Sequence, residues 1–387
     1  VTKMARAKTK AAWLAALAVL GTACGGGEGG GRAPEPYVWK LPAGFPTPRV
    51  PADNPMSEAK VRLGRRLFYD TRLSLNGTQS CGSCHEQARA FTDARVTAVG
   101  STGQVHRRNA QGLANVAFST SLTWANPMLT TLELQALTPL FGREPVELGF
   151  ADRQDELLER LRSDADLAAG FAEAFPDDEA PVSVASLGRA LASFQRSLVS
   201  GGAPVDRYRY GGQPDALSRS ARRGMELFLS ERLECDHCHS GFNFQDATAH
   251  EATPEPILPF HNTGLYNEDG QGAYPLADPG LIELTGRVED MGRFRAPSLR
   301  NVAVTAPYMH DGSLATLSEV LDHYAAGGRA RAGNAGQSSP LQSGFVRGFT
   351  LTAEEKQDVL AFLEALTDTE FLTDPRHADP ALAPPVP

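Results

Sequence analysis

Two pentapeptides of the form Cys-x-x-Cys-His stand out in this chain, Cys81-Gly82-Ser83-Cys84-His85 and Cys235-Asp236-His237-Cys238-His239. Two thiols on one turn can each bond to a vinyl group of one haem, and the adjoining imidazole then lies beneath the iron. The chain has 387 residues with five cysteines and nine histidines, so even one such pentapeptide is a chance event of order one in about a thousand. A zinc site made of two Cys-x-x-Cys knuckles would use the same thiols but leave both trailing histidines to coincidence. The pattern therefore points to c-type cytochrome chemistry. Cys81, Cys84 and His85 hold one covalent haem, and Cys235, Cys238 and His239 hold a second.

Two haems suit either an electron carrier or an enzyme, and the sixth iron position decides between them. A carrier fills it, commonly with Met or His, whereas an iron with an open face can react with an oxidant. The elements that would position each haem are legible around the motifs. Ser57 can cap a helix carrying Val61, Leu63, Leu67 and Phe68, which contains the string Gly64-Arg65-Arg66-Leu67-Phe68. Gly224-Met225-Glu226-Leu227-Phe228 repeats its Gly-x-x-Leu-Phe pattern before the second motif. The gaps to the first cysteine differ, 17 residues from Gly64 and 11 from Gly224, as expected for an old duplication with diverged loops.

Residues 184–199 carry apolar positions on one helical face. Thr352-Ala353-Glu354-Glu355 is a capping box that opens a final helix bearing Val359, Leu360, Phe362, Leu363 and Leu366. Strand signals are weak and Pro/Gly loops plentiful. The expected fold is mainly α, two cytochrome c-like haem domains with long loops and minor β. The expected boundaries are a signal segment over 1–24, a tether and wrap over 25–55, haem domains over 56–205 and 206–370, and a tail over 371–387. The proline-rich ends, 33–55 and 374–387, should wrap the surface or be mobile.

Lys3, Arg6, Lys8 and Lys10 precede an apolar run over residues 11–20, too short to span a bilayer and typical of a secretory signal. Cys24 follows Gly21-Thr22-Ala23 and precedes a glycine-rich tract, the setting of a lipoprotein acylation site, although Gly21 stands where such a site normally has Leu. The expected location is the periplasm, with a possible lipid anchor at Cys24. Removing residues 1–23 takes away those four positive charges and moves the net charge from −9 to −13. An acidic surface argues against nucleic acid or an anionic membrane face as partner.

Leu67-Phe68-Tyr69-Asp70-Thr71-Arg72-Leu73-Ser74, Asn109-Ala110 with Asn115, the segment Phe294-Arg295-Ala296-Pro297-Ser298-Leu299-Arg300-Asn301, and Ala306-Pro307-Tyr308-Met309-His310-Asp311-Gly312 together resemble the bacterial di-haem cytochrome c peroxidase/MauG superfamily. The likeness runs collinearly over about residues 55–368. Leu41-Pro42-Ala43-Gly44-Phe45-Pro46 and Val50-Pro51-Ala52-Asp53-Asn54-Pro55 resemble the MauG-like MbnH enzymes most. That resemblance implies an enzyme using hydrogen peroxide to reach a high-valent di-haem state. It would then oxidise an aromatic residue, Trp to kynurenine, on a partner such as an MbnP-like copper-binding protein. A cytochrome c peroxidase served by a small electron donor is the nearest alternative, and a non-catalytic electron-transfer cytochrome is the third.

The resemblance also assigns roles. Where the family's peroxidases carry a histidine that ligates the resting first haem, eight residues before Asn109, this chain has Ser101; His106 should be a surface or loop residue. The first iron is then bound by His85 alone. Glu147 and Gln135 become its distal acid–base pair, with Glu144 a competitor of Glu147. Opposite His239, Tyr324 occupies the place of the peroxidases' Met, with His323 as rival. A phenolate stabilises oxidised iron where a thioether favours electron uptake. Trp124 would relay charge between the haems, and Asn109, Thr305 and the carbonyl of Pro307 would hold one calcium ion. His261 and His310 are expected in structural or haem-propionate roles.

Overall fold

The computed structural model describes residues 35–328 and 338–382. The expected signal segment and Cys24 lie outside the described residues. Seven helices of two turns or more carry the described structure, numbered here α1 (Glu58–Phe68), α2 (Gln154–Arg162), α3 (Ala165–Ala174), α4 (Val184–Arg196), α5 (Arg219–Phe228), α6 (Leu317–Ala325) and α7 (Ala353–Glu364). Their starts follow local chemistry. The Ser57 hydroxyl accepts from the Lys60 amide at 3.2 Å, and capping boxes at Thr316/Glu319 and Thr352/Glu355 open α6 and α7. No strand forms among the described residues. The expected minor β content reduces to isolated bridges such as His261 with Phe294, because proline and glycine interrupt every extended run.

Two apolar cores lie in sequence order. Leu63, Leu67, Phe68, Leu187, Leu191 and Phe194 belong to the first, which ends at Leu198 apart from a return by Phe371. Ala203, Phe228, Phe244, Val359 and Phe362 belong to the second. Each core is built on one close helix crossing. A Cβ on Gly64 of α1 would meet the Ala190 carbonyl oxygen of α4 at 1.9 Å, and one on Gly224 of α5 would meet the Asp358 oxygen of α7 at 1.8 Å. Only glycine lets the backbones approach this far. The repeated Gly-x-x-Leu-Phe string thus marks the same packing event twice.

The described residues form one compact unit. Its N-terminal stretch wraps: Phe45 packs against Phe242 with ring centroids 4.9 Å apart and against Phe118 at 6.3 Å. The C-terminal stretch straps back over the first core. The Tyr69 hydroxyl donates to the His377 carbonyl at 2.7 Å, and Gln87 donates to the carbonyls of Phe371 and Asp374.

Candidate haem sites

Each Cys-x-x-Cys-His motif starts as a 3₁₀ turn, Cys81–Ser83 and Cys235–His237, so its two thiols share one side of a short loop. None of the four motif cysteines is in a disulfide, so each can bond to a haem vinyl group. His85 Nδ1 donates to the Phe91 carbonyl at 2.7 Å, and His239 Nδ1 donates to the Phe244 carbonyl at 3.2 Å. Both acceptor residues have positive φ, +65° and +48°, a region that non-glycine residues seldom enter. This geometry turns each carbonyl toward its imidazole and leaves Nε2 as the lone-pair nitrogen, the form an iron binds. Burial lowers both histidine pKa values and so favours the neutral ring.

The second motif opens onto a cavity lined by Cys235, Cys238 and His239, with Tyr324 on the same lining. Tyr324 projects from the last turn of α6. Burial, and after it the neighbouring Cys238 and Cys235, pushes its phenol pKa upward, and no group among the described residues hydrogen-bonds its hydroxyl. Tyr324 is half-buried by surface area, and its phenol oxygen could serve a haem iron held in this cavity. His323 is buried and turned elsewhere, its Nε2 at 3.0 Å from the Thr263 carbonyl oxygen, and it does not line the cavity. Arg295, which the sequence reading left without a role, lines this cavity too and is 7% exposed. Its partners are neutral oxygens of Thr123, Ala296 and Gln111. Burial pushes it down to about 10, the mark of a cation lacking a close anion, and haem propionates would supply one. His261 also lines the cavity, 2.6 Å from Asp246 Oδ2.

Around the first motif, the segment bearing Glu147 is clamped on three sides. Leu75 N–H donates to the Leu148 carbonyl at 2.8 Å, Leu148 N–H to the Pro139 carbonyl at 2.9 Å, and both the amide and hydroxyl of Ser101 to the Glu147 carbonyl at 2.7 Å. Ser101 therefore anchors the loop that carries the acid. Burial raises the Glu147 carboxyl to about 7. Burial first, and carboxylates including Glu147 second, raise the Cys81 and Cys84 thiols, so this acid lies within electrostatic reach of the first motif. By surface area the Glu147 side chain is only half-buried, 37% exposed.

Glu144 is exposed, while Gln135 is half-buried and ends a one-turn helix, Leu132–Gln135. His106 sits in a loop, one of the two settings expected of it, with its side chain 15% exposed and its Nδ1 4.0 Å from Glu147 Oε1. The contact joins residues 41 positions apart, which no local signal announces.

Between the motifs, Trp124 is 9% exposed and lines both the second cavity and an adjoining one that contains Asn109, Thr305 and Pro307. Those three candidate calcium ligands thus share one cavity. The Asn109 amide nitrogen donates to the Arg95 carbonyl at 2.7 Å, which leaves Oδ1 as its acceptor atom. His310 stacks on Phe294 at 3.6 Å, and burial takes its pKa down to about 4.

The profile of the family described as di-haem cytochrome c peroxidase matches residues 58–214. The chain is 37% identical to cytochrome-c peroxidase IdrP1 of Denitromonas iodatirespirans, over 95% of each chain. It is 33% identical to methylamine utilization protein MauG of Methylorubrum extorquens, over 85% of this chain and 83% of that one. A crystal structure of a MauG-like protein associated with microbial copper homeostasis superposes with a TM-score of 0.85 and 51% identity, covering 89% of this chain and 99% of that one. With thiols, imidazoles and cavity in place, the chain belongs to the di-haem cytochrome c peroxidase/MauG family of oxidoreductases.

Proposed function

We propose that this protein is an exported, protein-modifying di-haem enzyme that uses hydrogen peroxide to oxidise a tryptophan of a partner protein toward kynurenine. The partner we propose is a copper-binding protein of the MbnP type. The observation that carries this reading is Tyr324, facing the cavity of the second Cys-x-x-Cys-His motif where related peroxidases have Met. The 51% identity to a MauG-like protein associated with microbial copper homeostasis supports the choice of partner. The reading includes two haem domains meeting near residue 205, periplasmic location and a lipid anchor at Cys24.

Bound through the four thiols, His85 and His239, the two haems supply peroxide-driven oxidation. The protein's own work is to set the surroundings. Glu147, held near neutrality by burial, takes a proton from one peroxide oxygen and returns it to the other, with Gln135 orienting the oxidant and His106 within reach as proton partner. Tyr324, which lines the same cavity as His239, would offer a phenol oxygen to the iron of a haem held there, a ligand that favours the oxidised metal. Arg295 balances propionate charge, and Trp124 gives electrons an aromatic route between the halves. Calcium on Asn109, Thr305 and the Pro307 carbonyl would fix that junction.

The test is direct. Holoprotein, peroxide and the partner are mixed, and the partner's tryptophan peptides are analysed by mass spectrometry. Kynurenine that requires both enzyme and peroxide is expected; unmodified tryptophans would contradict the reading. The name of the Denitromonas iodatirespirans relative favours a second reading, peroxide removal with a small electron-donor protein. Rapid multiple turnover with reduced cytochrome c would select it.

A further inference from the structure

Trp124 packs into an aromatic cluster with Tyr266, Tyr274 and Phe294. Phe294 lines the second cavity alongside Trp124 and Tyr324. From there the rings continue, Phe294 to Tyr274 at 6.1 Å and Tyr274 to Tyr266 at 5.3 Å between centroids. The two tyrosines are 2% and 8% exposed, shielded from solvent.

Their hydroxyls have different surroundings. Tyr274 donates to the Asn262 amide oxygen at 3.0 Å and accepts the Leu265 N–H at 3.2 Å, both neutral groups. Tyr266 donates to the carboxylate oxygen Oδ2 of Asp311, whose Oδ1 accepts the Ser313 N–H at 3.0 Å. Burial pushes the Asp311 pKa up, but His310, Tyr266 and Ser313 more than offset it and hold the group below the usual carboxylate value. A phenol that loses an electron becomes a strong acid, so it is oxidised readily only where a base in hydrogen-bond contact takes its proton in the same step. Within this cluster, Tyr266 meets that condition.

We propose that Tyr266 and Asp311 form a redox-active pair that donates one electron to the peroxide-oxidised protein through Tyr274, Phe294 and Trp124. The step breaks the Tyr266 O–H bond. The proton moves to Asp311 Oδ2, the electron moves inward along the aromatic cluster, and a neutral tyrosyl radical beside a neutral carboxylic acid remains. Hydrogen peroxide is the oxidant, reduced to two waters by two electrons and two protons from solvent; Tyr266 supplies one electron and the bound haems would supply the other. The pair rests on the peroxide reading above and extends it by naming where an oxidising equivalent resides before it reaches a protein substrate.

The test uses the di-haem holoprotein with hydrogen peroxide and no protein partner, freeze-quenched and read by electron paramagnetic resonance. A tyrosyl radical is expected in the wild type. It should fall at least about tenfold in Tyr266→Phe, which keeps the packed ring, and persist in Tyr274→Phe. Asp311→Asn should reduce it as well, and peptide mass spectrometry should find oxidised Tyr266 in the wild type. Unchanged circular dichroism and haem absorption would show that the variants fold. An equal tyrosyl signal in Tyr266→Phe, or no tyrosyl signal despite consumption of peroxide, would overturn the pair while leaving the peroxide reading intact. No reaction with peroxide at all would overturn both.

Discussion

The indole N–H of Trp124 donates to the backbone carbonyl of Asn109 at 2.9 Å, and the backbone N–H of Asn109 donates to the His310 carbonyl at 2.8 Å. The proposed charge relay and the proposed calcium site are thereby joined through one residue. Trp124→Phe keeps an aromatic ring but removes the donor. We expect about 1 kcal/mol of lost stability from the single hydrogen bond. Stopped-flow spectra should also show electron sharing between the two haems slowed by at least about tenfold, beyond what so small a destabilisation explains.

Chelation offers a separate handle on the same junction. If oxygen donors of Asn109, Thr305 and Pro307 hold a calcium ion, a chelator should slow the peroxide reaction and added calcium should restore it. Asn109→Ala should abolish that response.

Glu147 sets a pH dependence with a defined sign. Burial raises its pKa to about 7, so the folded protein holds this proton more tightly than the unfolded chain does. Its contribution to stability is full below the unfolded carboxylate range and is lost as pH rises through about 7. The rate of reaction with peroxide should change through an inflection near pH 7 that Glu147→Gln removes, with a loss of about 10²–10⁴-fold in rate. His106→Gln should move that inflection, because the imidazole lies 4.0 Å from the carboxylate.

The paired helix crossings make a stability prediction. Gly64→Ala and Gly224→Ala each place a methyl carbon within 2 Å of a backbone oxygen, so the helices must part. Each should cost about 1–3 kcal/mol or more in denaturant unfolding. A melting point unchanged by either substitution would refute the geometry.

Those glycines were legible because the Gly-x-x-Leu-Phe string repeats locally, just as Ser57 and the Thr352 capping box announce α1 and α7 through contacts three residues long. A second repeat carries no haem chemistry. Leu113-Ala114-Asn115-Val116-Ala117 and Leu299-Arg300-Asn301-Val302-Ala303 share Leu-x-Asn-Val-Ala, and both asparagines have left-handed backbone preceding a 3₁₀ turn. Their significance is tertiary. Asn115 exchanges hydrogen bonds with the Ser200 backbone at 2.8 Å each, and Asn301 donates to the Ser200 hydroxyl at 3.0 Å. The two fully buried amides therefore meet on one serine between the cores. Motif chemistry survives in sequence because covalent haem attachment demands fixed spacing. Contacts such as His106 with Glu147, Ser101 with Glu147 or the C-terminal strap with Tyr69 depend on how distant loops come together, and no periodicity encodes them.

The asymmetry between the two haem sites is decided most directly by resonance Raman spectroscopy of the resting ferric holoprotein, wild type against Tyr324→Phe. Phenolate-to-iron bands are expected in the wild type and absent in the variant, with the other haem five-coordinate on His85. A wild-type spectrum without phenolate bands, showing sulfur or a second imidazole opposite His239, would contradict the account.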